Sequence, residues 1–202
     1  GGGGCAARWR GGGAAWGGVV RAIGSAAGGA GWGGGAAGDG PAGVAVSGWT
    51  SAHPRDAGAD APLSPGQARL HFLNRLDPTS PEYSVVLQAG LTGALDVEAL
   101  EAAIDDVVAR HEVLRTVYPE VDGGPVQRVL PAPQGLLRHE PVDTRQGFDL
   151  ATELPIRAGL AVLAANEWRL DLVIHHIATD GASLAPLTRD LATAYAARTA
   201  GA

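Results

Sequence analysis

The sequence predicts a layered domain of mixed helices and strands, α/β or α+β, over residues 62–202. Two observations carry this prediction. Segments with helical spacing of apolar residues alternate with short apolar runs typical of strands. Glycine divides the chain unevenly, because 21 of the 31 Gly fall in residues 1–60. This leaves about 140 residues to build a core of modest size.

Residues 1–61 are predicted to be a disordered leader or linker rich in Gly and Ala. They hold four of the five Trp and keep neither a helical nor a strand period. Glycine loses the most backbone entropy on ordering, which favours disorder. Out-of-frame reading of GC-rich DNA would explain the Trp residues equally well, so no function is assigned here. The chain has no Met, and we expect it to be a fragment.

The first predicted element of the domain is a helix. Ser64 and Gln67 have the spacing of a capping box. Leu70, Leu73 and Leu76 then share one helical face. The helix is therefore expected to pack through these leucines.

A strand, a helix and a hairpin are predicted next. The apolar run in Tyr83–Leu91 indicates a strand. Asp96 is a candidate N-cap for a helix whose apolar positions continue to His111. The turn residues Asp122–Gly124 lead back into Val126–Leu130, which indicates a β-hairpin.

The last third of the chain predicts a strand, a polar loop and a helix. In Trp168–Ile174 large apolar residues alternate with mostly polar ones, as in a half-buried strand. The loop His175–Gly181 follows, and a final helix has Leu184, Leu187 and Tyr195 on one face. Loops on a rigid scaffold often carry functional groups, so this loop is the candidate site.

Charge and composition exclude several classes of function. The net charge is −6 and no cluster of Lys and Arg is present, which disfavours nucleic-acid binding. The single cysteine, Cys5, can form no intrachain disulfide and fits a reducing compartment. No apolar stretch is long enough to cross a bilayer. We therefore expect a soluble cytoplasmic protein without membrane or nucleic-acid partners.

Proton transfer is the chemistry that the loop favours. Histidine is the side chain best matched to proton transfer near neutral pH, which makes His176 the candidate. Asp180 could fix the loop or the imidazole, and Gly181 permits a tight turn with its backbone close to a ligand. Taken alone, a His-His pair at a strand end is more often structural or incidental, and Asp180 is most simply a helix cap or turn residue. A zinc site lacks a third ligand at recognisable spacing.

Three segments resemble motifs of the condensation domains of nonribosomal peptide synthetases. His175–Gly181 (HHIATDG) matches the HHxxxDG motif of that acyltransferase superfamily, and Arg110–Thr116 (RHEVLRT) matches RHExLRT. Leu63–Leu73 is similar to the opening motif SxAQxRLWFL. Phe148–Leu150 and Leu154–Arg157 resemble the segment before the active-site strand. The resemblance covers residues 62–202, about half of such a domain.

The resemblance implies a fold and residue roles. The family fold has two lobes like chloramphenicol acetyltransferase that face each other across a tunnel, and this chain corresponds to the N-terminal lobe without the second. His176 would accept or orient the proton of an acceptor amine, and the Gly181 N–H would orient the thioester or a developing oxyanion. His175 and Asp180 would be structural. The implied partner of Asp180 is an arginine: Arg69, Arg110, Arg115 or one in the absent lobe. From the residues alone, Arg110 and Arg115 could instead be helix-end charges.

The implied reaction is amide-bond formation between carrier-bound aminoacyl or peptidyl groups. No cofactor would be bound directly, since the substrates sit on phosphopantetheine arms of carrier proteins. The expected partners are those carriers and neighbouring adenylation or carrier domains. Alternatives are an epimerization domain, a stand-alone O-acyltransferase, a non-catalytic lobe that contacts carriers, or a pseudogene product.

Three features depart from the family pattern. His71 stands where Trp is usual, and Ala68 where Arg is frequent. Only four residues separate Asp143 from Phe148, where relatives carry a longer helical insert. The first two changes affect packing at the first helix and leave the His176 loop untouched.

Overall fold

The computed structural model describes residues 60–200 and the backbone of two short upstream strands. Three α-helices are described: α1 (Pro65–Leu76), α2 (Val97–Arg110) and α3 (Leu184–Thr199). A single 3-10 turn, Glu112–Arg115, follows α2. None of the described helices is long and apolar enough to cross a membrane.

The described strands form one large sheet and one small sheet. In chain order they are β1 (Ala6–Gly11), β2 (Val19–Val20), β3 (Ala61–Pro62), β4 (Ser84–Thr92), β5 (Thr116–Val117), β6 (Glu120–Val121), β7 (Gly124–Val129), β8 (Leu137–Arg138), β9 (Ile156–Ala164) and β10 (Glu167–His175). The large sheet has the order β2-β1-β4-β10-β9-β8. The small sheet has the order β3-β7-β5, and β6 pairs with β7. This confirms the predicted mixture of helices and strands.

Strands β1 and β2 lie inside the segment predicted to be disordered. Backbone pairs from Ala6↔Thr92 to Gly11↔Leu87 join β1 antiparallel to β4, and β2 pairs with β1. The structure thus has two paired strands where the sequence predicted no regular structure. Strand pairing uses only backbone N–H and C=O groups, so a segment without an apolar period can still pair with an open sheet edge. The rest of the predicted leader, up to residue 59, lies outside the described residues.

The main core joins the large sheet to α2 and α3. On one face of the sheet, apolar residues of β4 and β10 are paired directly, with Leu87 opposite Leu172 and Ala89 opposite Leu170. These residues belong to one buried cluster with apolar residues of the two helices. The central position of β10, between β4 and β9, fixes where its last residues lie.

Helix α1 begins as predicted and packs Leu70 against the core, but the last leucine of its predicted packing face is exposed. The Ser64 side chain accepts from the Gln67 N–H, and the Gln67 side chain accepts from the Ser64 N–H, which completes the capping box. Leu76, expected at the packing face, is 68% exposed, whereas His71 and Asn74 are buried. Asn74 is buried because its Nδ2 donates to the carbonyl of Phe148 at 3.0 Å. A satisfied polar group therefore takes the inner face of this helix.

The predicted hairpin and second helix are confirmed. Strands β6 and β7 are joined by Asp122 and Gly123, whose φ values of 51° and 86° match the turn that suits a two-residue hairpin. Glycine tolerates this left-handed backbone without cost. The Asp96 side chain accepts from the Ala99 N–H at 2.9 Å and caps α2.

Strand β10 is more deeply buried than its alternation predicts. Asp171, expected on a solvent face, has no exposed surface. Its carboxylate accepts from Arg169 Nε at 2.8 Å and from Gln88 Nε2 at 2.9 Å. Alternation of residue type cannot reveal that both sheet faces are covered, and a charge survives burial only when it is paired.

Gly159 in β9 marks a close crossing of the backbone. A Cβ at this position would lie 2.4 Å from the carbonyl O of Glu140 and 2.7 Å from Val142 Cγ2. At Gly90 in β4, a Cβ would meet nothing within 4 Å. The first glycine is required by packing and the second is not.

We expect Gly159→Ala to lower the free energy of unfolding by about 1–3 kcal/mol, because backbone atoms must shift to admit the methyl group. Gly90→Ala, the matched change in the same sheet, should be neutral or slightly stabilising, since alanine is the better strand residue. Urea denaturation of both variants measures the difference. Equal stability of the two variants would contradict the crossing.

Candidate active site

The candidate site is the loop between β10 and α3. The backbone N–H of His176 donates to the carbonyl of Tyr83 at 2.7 Å, and Ala178 N–H donates to the carbonyl of His175 at 3.0 Å. The first bond ties the loop to the residue before β4, and the second closes it into a turn. The position of the loop is therefore fixed by the two central strands, β4 and β10.

His176 presents a basic ring nitrogen. The side chain is exposed, and its Nδ1 lies 2.7 Å from the carbonyl O of Thr179. A carbonyl oxygen can only accept, so Nδ1 carries the proton and Nε2 keeps its free lone pair. This arrangement leaves Nε2 able to take a proton from a group outside the chain.

His175 is buried and neutral. Its Nδ1 accepts from the N–H of Ile177 at 3.0 Å, and the edge of its ring meets Phe148 with centroids 5.9 Å apart. Burial lowers the pKa of His175 to about 4, and electrostatic repulsion from the neighbouring His176 ring, when that ring is protonated, adds a smaller effect. The two adjacent histidines therefore differ in environment, and His175 supports the loop from inside.

Asp180 caps the turn that leads into α3. Its Oδ1 accepts from the Ser183 N–H at 2.8 Å and from Ser183 Oγ at 2.5 Å. These bonds, the side-chain bond first, lower the pKa of Asp180. The turn-residue interpretation of Asp180 agrees with this geometry. A Cβ at Gly181 would meet nothing within 4 Å, so the space above the loop is open there.

The arginines expected near Asp180 are engaged elsewhere. Arg110 Nε lies 3.3 Å from Asp190, and Arg115 donates to the carbonyl of Leu130 and to Glu112. Of the arginines that the resemblance implies as partners of Asp180, Arg110 and Arg115 are therefore paired elsewhere within residues 60–200. Short-range hydrogen bonds within the turn satisfy the Asp180 carboxylate without a distant cation. Arg69 is exposed on α1.

Asp190 is the site residue that the sequence did not reveal. It lies in α3, and its Oδ2 is 2.9 Å from His111 Nε2 as well as near Arg110. Two residues of the RHExLRT motif thus hold the helix that follows the HHxxxDG loop. A carboxylate one helical turn beyond the buried Leu187 was the available signal, but only tertiary structure names its partners.

The loop also has support on its other side. Arg157 lies 4.0 Å above the ring of Phe148 and donates to the carbonyls of Gln146 and Gly147 at 3.0 and 2.6 Å. The same Phe148 ring packs on His175. The segment that resembled the family before the active-site strand therefore braces the buried histidine.

A cavity of about 220 Å³ opens beside the loop between the 3-10 turn and α3. Its lining is mostly apolar: His111, Val113, Leu114, Ala178, Thr179, Ser183, Pro186 and Leu187. Among residues 60–200, no three His, Cys, Asp or Glu side chains cluster as a metal site would require.

Comparisons with known proteins agree with this fold and site. A sequence model of the family described as "Condensation domain" matches residues 58–202. The probable non-canonical nonribosomal peptide synthetase CymA of Salinispora arenicola is 52% identical over 148 residues, which are 69% of this chain and 2% of that protein. The isonitrile lipopeptide synthase of Mycobacterium tuberculosis is 47% identical over 159 residues, 71% of this chain and 6% of that protein.

Solved structures give the same result. The X-domain from teicoplanin biosynthesis superposes with a TM-score of 0.66 at 35% identity, covering 74% of this chain and 35% of that chain. The first condensation domain of the CDA synthetase has a TM-score of 0.63 at 24% identity, covering 71% of this chain and 41% of that chain. The second likeness supports the fold alone.

The chain belongs to the condensation-domain family. The family match and relatives such as CymA support a condensation domain of nonribosomal peptide synthetases. Its mixed α/β fold is that of the chloramphenicol acetyltransferase-like condensation domains. The chain spans 2–6% of the length of the two curated relatives named above and 35–41% of the two solved chains.

Because His175 is buried, we expect the folded protein to lose stability in mild acid. Its folded pKa of about 4 lies below the ordinary value of 6.5, so the neutral form stabilises the fold. That stabilisation is complete above pH 6.5 and is lost as the pH falls toward 4, with a limit of about 3 kcal/mol. Burial also lowers the pKa of His71, which adds a loss of the same sign.

His175→Asn keeps an acceptor near the Nδ1 position but cannot protonate. Urea unfolding at pH 7.5 and at pH 4.5 should therefore show a smaller pH-dependent loss in the variant than in the wild type. Because asparagine is smaller, the comparison is of the pH dependence and not of absolute stability. An identical pH dependence would contradict the assignment to His175.

Proposed function

We propose that this chain is the N-terminal half of a condensation domain that forms amide bonds during nonribosomal peptide synthesis. The observation that carries the proposal is the 2.7 Å contact of His176 Nδ1 with the Thr179 carbonyl, just beyond the end of a central strand. We infer from it that Nδ1 carries a proton and that Nε2 faces outward as the proton acceptor. Membership of the family supplies the class of reaction. We place the reaction in the cytoplasm, with both substrates held on phosphopantetheine arms of carrier proteins.

The proposed step is attack of an acceptor amine on a donor thioester. As the C–N bond forms, the amine proton passes to Nε2 of His176. The C–S bond then breaks, and the proton passes on to the departing thiolate, so a free thiol and an amide result. The Thr179 carbonyl accepts from Nδ1–H throughout and favours the transient imidazolium.

Gly181 is proposed to stand beside the reacting carbonyl. The space where its Cβ would be is empty in this chain, and its φ lies outside the left-handed region. Neither packing nor backbone strain within residues 60–200 therefore explains a glycine there. A substrate that approaches the backbone N–H closely would explain it, and that N–H would stabilise negative charge on the oxygen.

The remaining wall of the site is proposed to come from a second lobe, with carrier and adenylation domains as partners. The chain spans 35–41% of the two solved chains named above, so domains of this family contain further residues that can form such a lobe. The exposure of the His176 side chain supports this proposal, because an active site that excludes water needs a second surface to cover that side chain.

A non-catalytic domain is the second candidate. Another solved structure, 35% identical to this chain, is described as a complex of the X-domain and OxyB from teicoplanin biosynthesis. A domain of this fold can thus serve as a binding partner. The two candidates differ in whether His176 is needed for amide formation.

We expect His176→Ala to lower the rate of amide formation by at least about 100-fold in the complete domain that contains these residues, because the proton acceptor is lost. The measurement is product formation from two loaded carrier proteins. The control is His139→Ala. His139 is largely exposed, and its contact with Glu101 is long, at 3.8 Å, so its loss should not change the rate. Undiminished activity of His176→Ala would refute the proposed role.

We expect Gly181→Val to leave the melting temperature near that of the wild type while slowing amide formation by about tenfold or more, since the added side chain enters open space beside the N–H. Thermal unfolding and the carrier assay measure the two effects. Full activity would show that nothing approaches this backbone closely.

A further inference from the structure

We infer that Asp190 is a positioning residue for His176. Its carboxylate holds the first half of α3, and through it the loop, against the RHExLRT segment. For its effect on catalysis the inference rests on the proposed function. For its effect on the His176 ring it rests on geometry alone.

The contacts of Asp190 are concentrated on one oxygen. Its Oδ2 lies 2.9 Å from His111 Nε2 and 3.3 Å from Arg110 Nε, while Arg189 approaches the other oxygen at 3.9 Å. The Asp190 side chain is 22% exposed, so these interactions are only partly screened by solvent. A neutral side chain at this position would lose the attraction to the guanidinium groups.

Asp190 occupies a special place among the polar contacts between α2 and α3. The Tyr195 hydroxyl accepts from Asp96 N–H at 3.1 Å, and Arg198 pairs with Asp106 through two bonds of 2.8 and 2.6 Å. Both of these lie in the second half of α3. Asp190 makes its contact in the half that adjoins the loop, so it restrains the position of the first turns of α3.

A continuous series of hydrogen bonds connects the start of α3 to the His176 ring. Leu187 N–H donates to the carbonyl of Ser183, and Ser183 is held by Asp180. Next to Asp180, the Thr179 carbonyl lies 2.7 Å from His176 Nδ1. A shift of the helix therefore changes the length or angle of the hydrogen bond between His176 Nδ1 and the Thr179 carbonyl. That change weakens the bond, which selects the tautomer.

The cavity beside the loop gives a second, independent reason. One of its walls is formed by His111, Val113 and Leu114, and the other by Ser183, Pro186 and Leu187. The His111–Asp190 contact joins the two walls. The other polar contacts described above, of Tyr195 and Arg198, lie in the second half of α3. Without the Asp190 carboxylate, the two walls beside the loop are therefore held by apolar packing, which is non-directional.

The first test measures the His176 tautomer in this chain by the 15N shifts of its ring nitrogens. The wild type should hold Nδ1–H. Asp190→Asn should lower the ratio of Nδ1–H to Nε2–H by about five- to tenfold, as expected when a single hydrogen bond is weakened. Asp106→Asn removes an equivalent charge from the same helix pair, far from the loop, and should leave the ratio unchanged.

His111→Asn provides a second variant if Asp190→Asn does not fold. The shorter side chain cannot reach Asp190, and His111 is a third exposed, so the change is tolerable. It should shift the tautomer in the same direction. A wild-type ratio in either folded variant overturns the inference, and so does an equal shift in Asp106→Asn.

The second test measures catalysis in the complete domain. Asp190→Asn should lower kcat for amide formation by about 10- to 100-fold with KM changed by less than about twofold, because misplacement affects the reacting geometry more than binding. Asp190→Glu, which keeps the charge, should recover part of the rate, and Asp106→Asn should remain within about twofold of wild type. If the wild type forms no amide, the proposed function fails, while the tautomer measurement still decides the role of Asp190.

Discussion

The antiparallel pairing of β10 with β4 is the constraint on which the rest of the structure depends. Nine consecutive pairs join the two strands, from Glu167↔Thr92 to His175↔Ser84. Side chains alternate between sheet faces, so a slip of one residue would exchange the environments of the two histidines at the strand end. The apolar residues that β10 turns toward the helices fix the register. The same register decides which imidazole is neutral and supporting and which faces outward.

Two adjacent residues of one type acquire different chemistry from their surroundings. His175 packs against Phe148, whose ring is held by Arg157, and its Nδ1 is an acceptor. His176 has the opposite arrangement, with Nδ1 as donor to the Thr179 carbonyl. Desolvation disfavours the charged form of the first, while the second remains in contact with solvent. The backbone of the loop supplies both hydrogen-bond partners, so the pair of tautomers is built into its turn.

Local signals predicted local structure well. The capping box at Ser64, the hairpin turn at Asp122–Gly123 and the strand before the histidines follow from residues close in sequence. Features that depend on distant partners did not follow. The burial of Asp171 needs Gln88 from another strand, and the contacts of Asp190 need the end of a helix 80 residues earlier. Periodicity describes one element at a time, whereas tertiary partners can override it.

The short connection between Asp143 and Phe148 has its two ends anchored independently. On one side Val142 lies over Gly159, and on the other Arg157 holds the carbonyl of Gly147. Between them the chain closes in a turn, with the Asp143 side chain accepting from Arg145 N–H. Extra residues inserted here would extend outward without moving either anchor, since lengthening a surface loop costs little free energy. A reporter or a docking segment can therefore be inserted in this connection without changing the packing around His175.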